Sequence, residues 1–254
     1  MNKVLRVTAM SILFVLSASG CGKALDAGRE PARGIRAREM RVAVQPIPHS
    51  APLFVAKRKG WLDEELGRVG VAVKWSYFFS EPPMNESLAA GEQDIGLMGD
   101  AQAILGRASG QDTRIVGVAS AEPTAPAVAA ERSTTAAPAD LKRKKVDVMV
   151  ATNAFASRNP ELVSIFLKVY QRGKDFIKEN PLEAARLVSI EVKLPSRELV
   201  QVLARFDFDP HLHDDDIAEL KKTEGFMRRT GLIKGPVDIA SFIGAGRLRV
   251  EGIR

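Results

Sequence analysis

The sequence predicts an α/β protein built around a doubly wound parallel sheet. Between residues 41 and 120, short apolar and β-branched segments alternate with segments of helical length. Each helical segment begins directly after a strand, at a loop of small polar residues and prolines. Strands and helices that alternate in this way form parallel sheets with right-handed crossovers. Ligands bind such sheets beyond the carboxyl ends of the strands, where helix N-termini favour an anion.

The first two predicted strands are each followed by a helix. The strand Arg41–Gln45 ends at two prolines, which cannot donate to a ladder. Ser50 then has N-cap chemistry, and Gly60 ends the helix before a tryptophan. The strand at 71–79 is rich in β-branched and aromatic residues, and Ser80 precedes its helix. The same strand-to-helix junction therefore occurs twice.

Two further strands complete the run. We predict a strand at 94–98, a turn at Gly99 and Asp100, and a helix at 101–109 that a glycine closes. The fourth strand covers residues 114–119. The loops that follow the first three strands should share one edge of the sheet.

The C-terminal part of the chain is predicted to be helical. Asn159 has N-cap chemistry, and the proline and glutamate after it suit a first helical turn. Apolar residues then recur on one face as far as Phe176, so this helix should pack on the α/β unit. Further helices are predicted from Pro181, at 195–206 and at 217–230.

The N-terminus has the features of a secretory signal. Lys3 and Arg6 precede the apolar stretch 7–16, which is much shorter than the about 20 residues of a spanning helix. Cys21 lies where a bacterial lipoprotein signal places the cysteine that is lipidated, with plain secretion as the alternative. A single cysteine excludes a disulfide framework. Residues 22–40 lack apolar periodicity and fit a flexible tether.

Composition and motifs argue against an enzyme or a nucleic-acid-binding protein. The net charge of +6 suits an anion-handling protein but also an ordinary solvated surface, and two Trp and two Tyr offer no stacking array for bases. No phosphate-binding loop, nucleophile elbow or HExxH metal motif is present, so we predict no enzymatic activity, cofactor or metal. The acidic stretch HLHDDD at 211–216 precedes a helix, where capping is favoured over metal binding.

Several polar residues of the shared edge are candidates for anion contact. The hydroxyls of Ser50 and Ser80 could donate to a ligand, or each could cap its own helix, and the two readings can hold together. Gln45 and His49 are weaker candidates, because a glutamine at a strand end and a histidine in a loop are more often structural.

Long stretches of the chain resemble a known family. The segments QPIPHSAPLFVAKRKGWLDEELG, PPMNESLAAGEQDIGLMGDA and GRASGQDTRIVGVAS are similar to periplasmic substrate-binding proteins of ABC importers for aliphatic sulfonates, within the nitrate, sulfonate and taurine group. The later segments NPELVSIFLKVYQRGKDFIKENPLEAARL and ARFDFDP resemble the C-terminal helices of that family.

The resemblance implies a two-lobed, periplasmic-binding-protein-like clamshell that captures a sulfonate, with taurine and nitrate as alternatives, and delivers it to an ABC permease in the membrane. The protein would be a monomer outside the cytoplasm, anchored only by a lipid on Cys21, and would serve sulfur metabolism. Gln102 departs from the proline usual after GDA in the family. The positions that the resemblance places at the ligand are Gln45, His49, Ser50, Ser80, Gly99, Asp100 and Ala101.

One interval of the chain does not fit a complete family member. ADLKRKKVDV resembles the start of the second lobe and VATNAFASRNPELV the return from it, and the two meet near Val148 and Met149. We therefore predict an internal deletion that removes most of the second lobe, and a faulty gene model or a decayed gene is the alternative explanation of the pattern. A truncated remnant or interaction protein is the alternative function. The predicted segments are a signal peptide (1–21), a tether (22–40), a first α/β lobe (41–126), a remnant of the second lobe (127–156) and a C-terminal helical region (157–254).

Overall fold

A computed structural model describes residues 36–122 and 144–243, and these form one five-stranded sheet with helices on both faces. The strand order is β2-β1-β3-β5-β4. Cys21 and the predicted signal peptide lie outside the described residues. The strands are β1 (Glu39–Val44), β2 (Ala72–Tyr77), β3 (Ile95–Gly99), β4 (Thr113–Glu122) and β5 (Lys145–Thr152).

The four predicted strands are confirmed, but the sheet is not wholly parallel. β1 pairs in parallel with β2 and β3, whereas β5 lies between β3 and β4 and is antiparallel to both. Glu122 pairs with Lys145, so the chain leaves β4 and enters β5 at the same edge of the sheet. A strand that re-enters at the edge where its neighbour ends must run antiparallel to it. The order and the helices on both faces give the doubly wound fold that the sequence predicts.

The predicted helices begin at or near their capping signals, and the described residues contain three short α-helices that were not predicted, at Trp61–Arg68, Asn153–Arg158 and Ile239–Ile243. Gly60 adopts φ 71° and ends the first helix, but the chain enters a second short helix at once. Leu62 and Leu66 of that helix are buried, so it is held by packing and not by its own caps. The helices are α1 (Ala51–Arg58), α2 (Trp61–Arg68), α3 (Glu81–Ala89), α4 (Asp100–Ala108), α5 (Asn153–Arg158), α6 (Pro160–Glu179), α7 (Pro181–Val192), α8 (Ser196–Leu203), α9 (Asp214–Arg229) and α10 (Ile239–Ile243).

Two hydrophobic clusters lie on opposite faces of the sheet. One joins β1 to α1, α2, α6, α7 and α8, and includes the fully buried Phe54, Phe166 and Tyr170. The other joins β4 and β5 to α3, α4, α9 and α10 around Met84 and Phe242. None of the helices within the described ranges is long and apolar enough to cross a membrane.

The segment between α8 and α9 also covers part of the outer edge of β4. The backbone N–H of Ala121 donates to Asp207, and the N–H of Asp207 donates back to Ala121. The N–H of Val118 donates to the carbonyl of Pro210. A Cβ on Gly117 would lie 2.9 Å from that carbonyl oxygen, so only glycine lets the two segments approach this closely.

Gly173 is the closest contact between α6 and α1. A Cβ at this position would lie 2.2 Å from the carbonyl oxygen of Pro52, well inside contact distance. We expect Gly173→Ala to lower the free energy of unfolding by about 1–3 kcal/mol, because overpacking outweighs the better helix propensity of alanine. Urea unfolding followed by circular dichroism measures the change.

Gly225→Ala is the matched control for this prediction. A Cβ there meets only the flexible Arg229 side chain at 3.4 Å, so the substitution should be neutral or stabilise by up to about 1 kcal/mol. Equal effects of the two substitutions would contradict close packing of α6 on α1.

Candidate functional site

Three helix N-termini meet the sheet at one edge, which we call the crevice. α1, α3 and α4 follow β1, β2 and β3 along the chain, with Ser50, Ser80 and Gly99 as their N-cap residues, and a short 3₁₀ helix at Pro48–Ser50 precedes α1. The end of β4 and the start of β5 lie at the same edge, because Ser120 and Asp147 pair there. The unpaired N–H groups of the helices and their dipoles favour negative charge at this edge.

Gln45 and Ser50 are the most buried of the predicted residues on the β1–α1 loop. Gln45 is 8% exposed and Ser50 is 2% exposed. The Nε2 group of Gln45 has no hydrogen-bond partner in the part of the chain that the structure describes. The Ser50 side chain makes no capping hydrogen bond to α1. A buried amide donor without an acceptor is costly, and an oxygen of a ligand would relieve that cost.

Polar side chains from β4 and β5 hold the His49 ring in place. Its Nδ1 contacts Oδ2 of Asp147, and the hydroxyl of Ser120 lies 3.3 Å from the same nitrogen. Ser120 donates to Oδ2 of Asp147 over 2.8 Å. The His49 ring also packs on Phe206, with centroids 4.6 Å apart. His49 is therefore an ordered wall of the crevice and not a free loop residue.

Asp147 carries a negative charge at the floor of the crevice. Burial by itself raises the pKa of this carboxyl, but the hydrogen bond and charge of His49, together with Lys145 and Ser120, outweigh it. The pKa of Asp147 therefore lies below its usual value. Its carboxylate is close to β3, since a Cβ on Gly99 would lie 3.6 Å from Oδ1 of Asp147.

The N-terminus of α4 is already satisfied by carboxylates of the protein. The N–H of Gly99 donates to Oε1 of Glu81 over 2.7 Å, and the N–H of Ala101 donates to Oδ1 of Asp100 over 2.7 Å. The hydroxyl of Thr223 donates to the other oxygen of Asp100. Gly99, Asp100 and Ala101 are thus at the predicted edge, but these two N–H groups are already engaged.

The remaining predicted residue, Ser80, lies apart from this group. It is exposed at the end of β2, which is an edge strand of the sheet. Its side chain makes no capping bond to α3. The structure thus gathers His49 and Gly99 around Asp147 and leaves Ser80 on the rim.

Sequence reasoning missed three residues of the crevice: Glu81, Ser120 and Asp147. Ser120 directly follows the predicted fourth strand, so its place at a strand end was a usable signal. Asp147 is flanked by valines inside an apolar strand, and only its pairing with Gly99 and Ser120 brings it to this edge. Glu81 reads as an ordinary acidic residue in the first turn of a helix.

The geometry supports neither hydrolysis nor metal binding. Asp147 and Ser120 both contact Nδ1 of His49, so the imidazole cannot pass a proton between them as in a hydrolase triad. Across residues 36–122 and 144–243, no group of three or more His, Cys, Asp or Glu side chains could hold a metal ion. The capping interpretation of HLHDDD is confirmed, because the N–H of His213 donates to Oδ2 of Asp216 at the start of α9.

Comparisons with known proteins agree with the arrangement of strands and helices. Residues 47–151 match the family model described as NMT1/THI5 like. A Bacillus subtilis protein named as an aliphatic sulfonates-binding protein is 32% identical over 112 residues, which is 44% of this chain. The matched part spans only 31% of the length of that relative.

Solved structures match over a larger share of the chain. The periplasmic aliphatic sulphonate binding protein SsuA of Escherichia coli is 15% identical, with a TM-score of 0.65 over 82% of this chain and 98% of its own. The chain has the fold of periplasmic sulfonate-binding proteins. The alkanesulfonate-binding protein SsuA of Xanthomonas axonopodis, bound to MOPS, gives a TM-score of 0.64 at 14% identity over 81% of this chain and 98% of its own.

The fold also occurs in a nitrate-binding relative. The periplasmic nitrate-binding protein NrtA of Synechocystis has a TM-score of 0.60 at 10% identity, over 85% of this chain and 86% of its own. The resemblance to the sulfonate-binding family, predicted from the sequence motifs, is confirmed. Among these relatives the common property is a periplasmic-binding-protein fold, and the matched proteins are named as binders of sulfonates or nitrate.

Asp147→Asn should weaken the contacts of this side chain with His49 and Ser120. We expect the variant to lose about 1–3 kcal/mol of unfolding free energy at pH 7. Because the folded pKa of Asp147 is depressed, its contribution is present above the unfolded pKa of about 3.9 and is lost as pH falls through the folded pKa. The difference between wild type and variant should therefore shrink below about pH 4.

Urea unfolding at several pH values between 7 and 3 measures this difference. Asp63→Asn, at an exposed position in the first turn of α2, is the control and should show a smaller difference at pH 7. A free-energy difference between wild type and Asp147→Asn that stays constant to pH 3 would contradict the depressed pKa of Asp147.

Proposed function

We propose that this chain is the solute-binding component of an ABC importer and captures aliphatic sulfonates or a related small oxyanion. The relatives named as binding aliphatic sulfonates, alkanesulfonate and nitrate support this proposal. Taurine falls within the same chemical class. A membrane permease is the partner that such a component requires, and the protein would work outside the cytoplasm as a monomer.

The observation that carries the proposal is the unpartnered amide of Gln45. This buried donor follows β1, on the loop that leads into α1. A sulfonate or nitrate oxygen is an acceptor that could satisfy the amide while also lying at the positive end of the helix dipole. At α4 two of the N–H donors are already taken by Glu81 and Asp100, so the amide of Gln45 is the donor on which the proposal rests.

The crevice also sets a limit on affinity. Asp147 places a carboxylate beside Gly99, and like charge repels an incoming anion. We further propose that most of the second lobe is missing between β4 and β5. A clamshell holds its ligand by closing one lobe on the other. One open lobe would supply about 4 kcal/mol, which corresponds to a dissociation constant in the millimolar range.

A remnant without transport function is the second candidate, and the carboxylates at the N-terminus of α4 favour it. A site whose donors are bound by its own acidic side chains binds no anion unless those side chains move.

The proposed deletion can be tested at the DNA level. Resequencing the junction around Val146–Val150 in the source genome should reproduce the present reading frame, and recovery of a longer frame would show that the chain in nature has a second lobe.

Gln45→Met separates ligand binding from stability. Methionine keeps the length of the side chain but removes the unsatisfied amide, so we expect the unliganded protein to be as stable as wild type or slightly more stable. Wild type should gain about 2.7 kcal/mol at a ligand concentration 100 times the dissociation constant, and the variant should gain much less. Thermal unfolding with ethanesulfonate, taurine, sulfate and nitrate measures both effects.

Two controls make this experiment specific. Sodium chloride at matched ionic strength accounts for general salt effects on stability. His211→Ala, at an exposed position in the segment before α9, should keep the wild-type response. The anion proposal fails if none of these anions raises the wild-type melting temperature above the chloride control.

Lipidation of Cys21 is the remaining proposal about location. A lipid-anchored protein should sediment with membranes and incorporate labelled palmitate in bacterial cells. We expect Cys21→Ser to abolish labelling and to move the protein into the soluble fraction, because the acyl chains on Cys21 are the proposed anchor. Unchanged membrane association of Cys21→Ser would overturn the lipid anchor.

A further inference from the structure

A second cavity lies outside the crevice, among the C-terminal helices. Its volume is about 450 Å³, within the range of about 300–1,000 Å³ that is usual for small-molecule sites. It is bounded by the C-terminal half of α6, the start of α7, the end of α8 and the segment that follows α8. No residue predicted from the sequence to contact a ligand lines it.

The walls of this cavity are largely apolar. Phe206 and Phe208 pack against each other with ring centroids 5.5 Å apart, and Ile177 and Leu203 are buried beside them. Apolar and aromatic walls favour a hydrocarbon or aryl group, because its transfer from water is favourable in proportion to the area covered. The cavity therefore suits the apolar part of a ligand.

The rim of the cavity carries two lysines from one face of α6. Lys174 and Lys178 are four residues apart, so their side chains project from the same side of the helix. Lys174 lies 3.7 Å from Asp209, whereas Lys178 has no carboxylate within ion-pairing distance in the described part of the chain. Asp207 is the one acidic residue in the lining, so the lysines outnumber it.

We propose that this cavity binds an amphipathic organic anion, with its apolar chain against Phe206 and Phe208 and its head group at Lys174 and Lys178. Medium-chain alkyl sulfonates and carboxylates share this chemistry. The site is separate from the crevice, although Phe206 also contacts the His49 ring and so forms a wall common to both. Short anions such as ethanesulfonate lack the apolar chain and should not occupy it.

The test uses 1-anilinonaphthalene-8-sulfonate, an aryl sulfonate whose fluorescence rises in apolar sites, as the probe on the folded full-length protein. Octanesulfonate and octanoate, below their micelle concentrations, should each displace it, and ethanesulfonate should not. Octanol should displace it at least tenfold less effectively, because it lacks the negative charge. Comparison of the two octyl anions shows whether the site prefers a sulfonate or a carboxylate.

Variants locate the probe. Ala204→Trp fills the cavity from an exposed position and should weaken probe binding at least tenfold. Lys174→Gln with Lys178→Gln should weaken the octyl anions to a similar degree and leave octanol unchanged. This double variant changes only rim residues, so it still tests the cavity if the tryptophan substitution disturbs folding. Lys168→Gln, on the same helix outside the cavity lining, is the matched control and should bind as wild type.

Gln45→Met distinguishes this site from the crevice. It should leave octyl-anion binding intact, while Ala204→Trp should leave any response to ethanesulfonate intact. The cavity proposal is overturned if the probe does not bind, or if Gln45→Met weakens the octyl anions while the lysine pair variant does not. Equal displacement by octanol and octanoate would also overturn it, because the lysines would then contribute nothing.

Discussion

The pairing of β5 with both β3 and β4 is the constraint on which the rest of the structure depends. β5 is the last strand along the chain, yet it lies between β3 and β4, and within residues 36–122 and 144–243 it is the strand on which β4 depends for pairing. Its start brings Asp147 opposite Gly99 and Ser120, and this contact fixes His49 as well. The chain around residues 145–152 therefore completes the sheet and the crevice at the same time.

In the crevice, the fold supplies donors for an anion, and carboxylates of the protein itself occupy some of those donors. Helix N-termini and a buried amide attract negative charge, while Glu81, Asp100 and Asp147 introduce it from within. Internal carboxylates satisfy exposed N–H groups and lower the electrostatic cost of leaving the edge open to solvent. The fold therefore says less about anion binding here than it would in a site whose N–H donors were all free.

Much of the fold follows from local signals in the sequence. Prolines and glycines mark the ends of β1 to β3 and the starts of α1, α3 and α4, because these residues restrict or free their own backbone. Ser50 and Ser80 stand at the predicted N-cap positions, although their side chains make no capping bond. The direction of β5 could not be predicted, since it depends on pairing between distant segments. The same reason explains the crevice: Gln45 and His49 follow a strand end, whereas Asp147 reaches the site only through its register with Gly99.

The contacts along the outer edge of β4 bear on whether the protein aggregates. Asp207 and Pro210 take up backbone groups that a free edge strand would present to any other chain. The segment between α8 and α9 thus blocks the addition of a strand from another chain, which is how sheets assemble into fibrils. Removal of this segment would expose the backbone groups of Val118 and Ala121 at the edge of β4, and an exposed strand edge is a template for pairing with another chain.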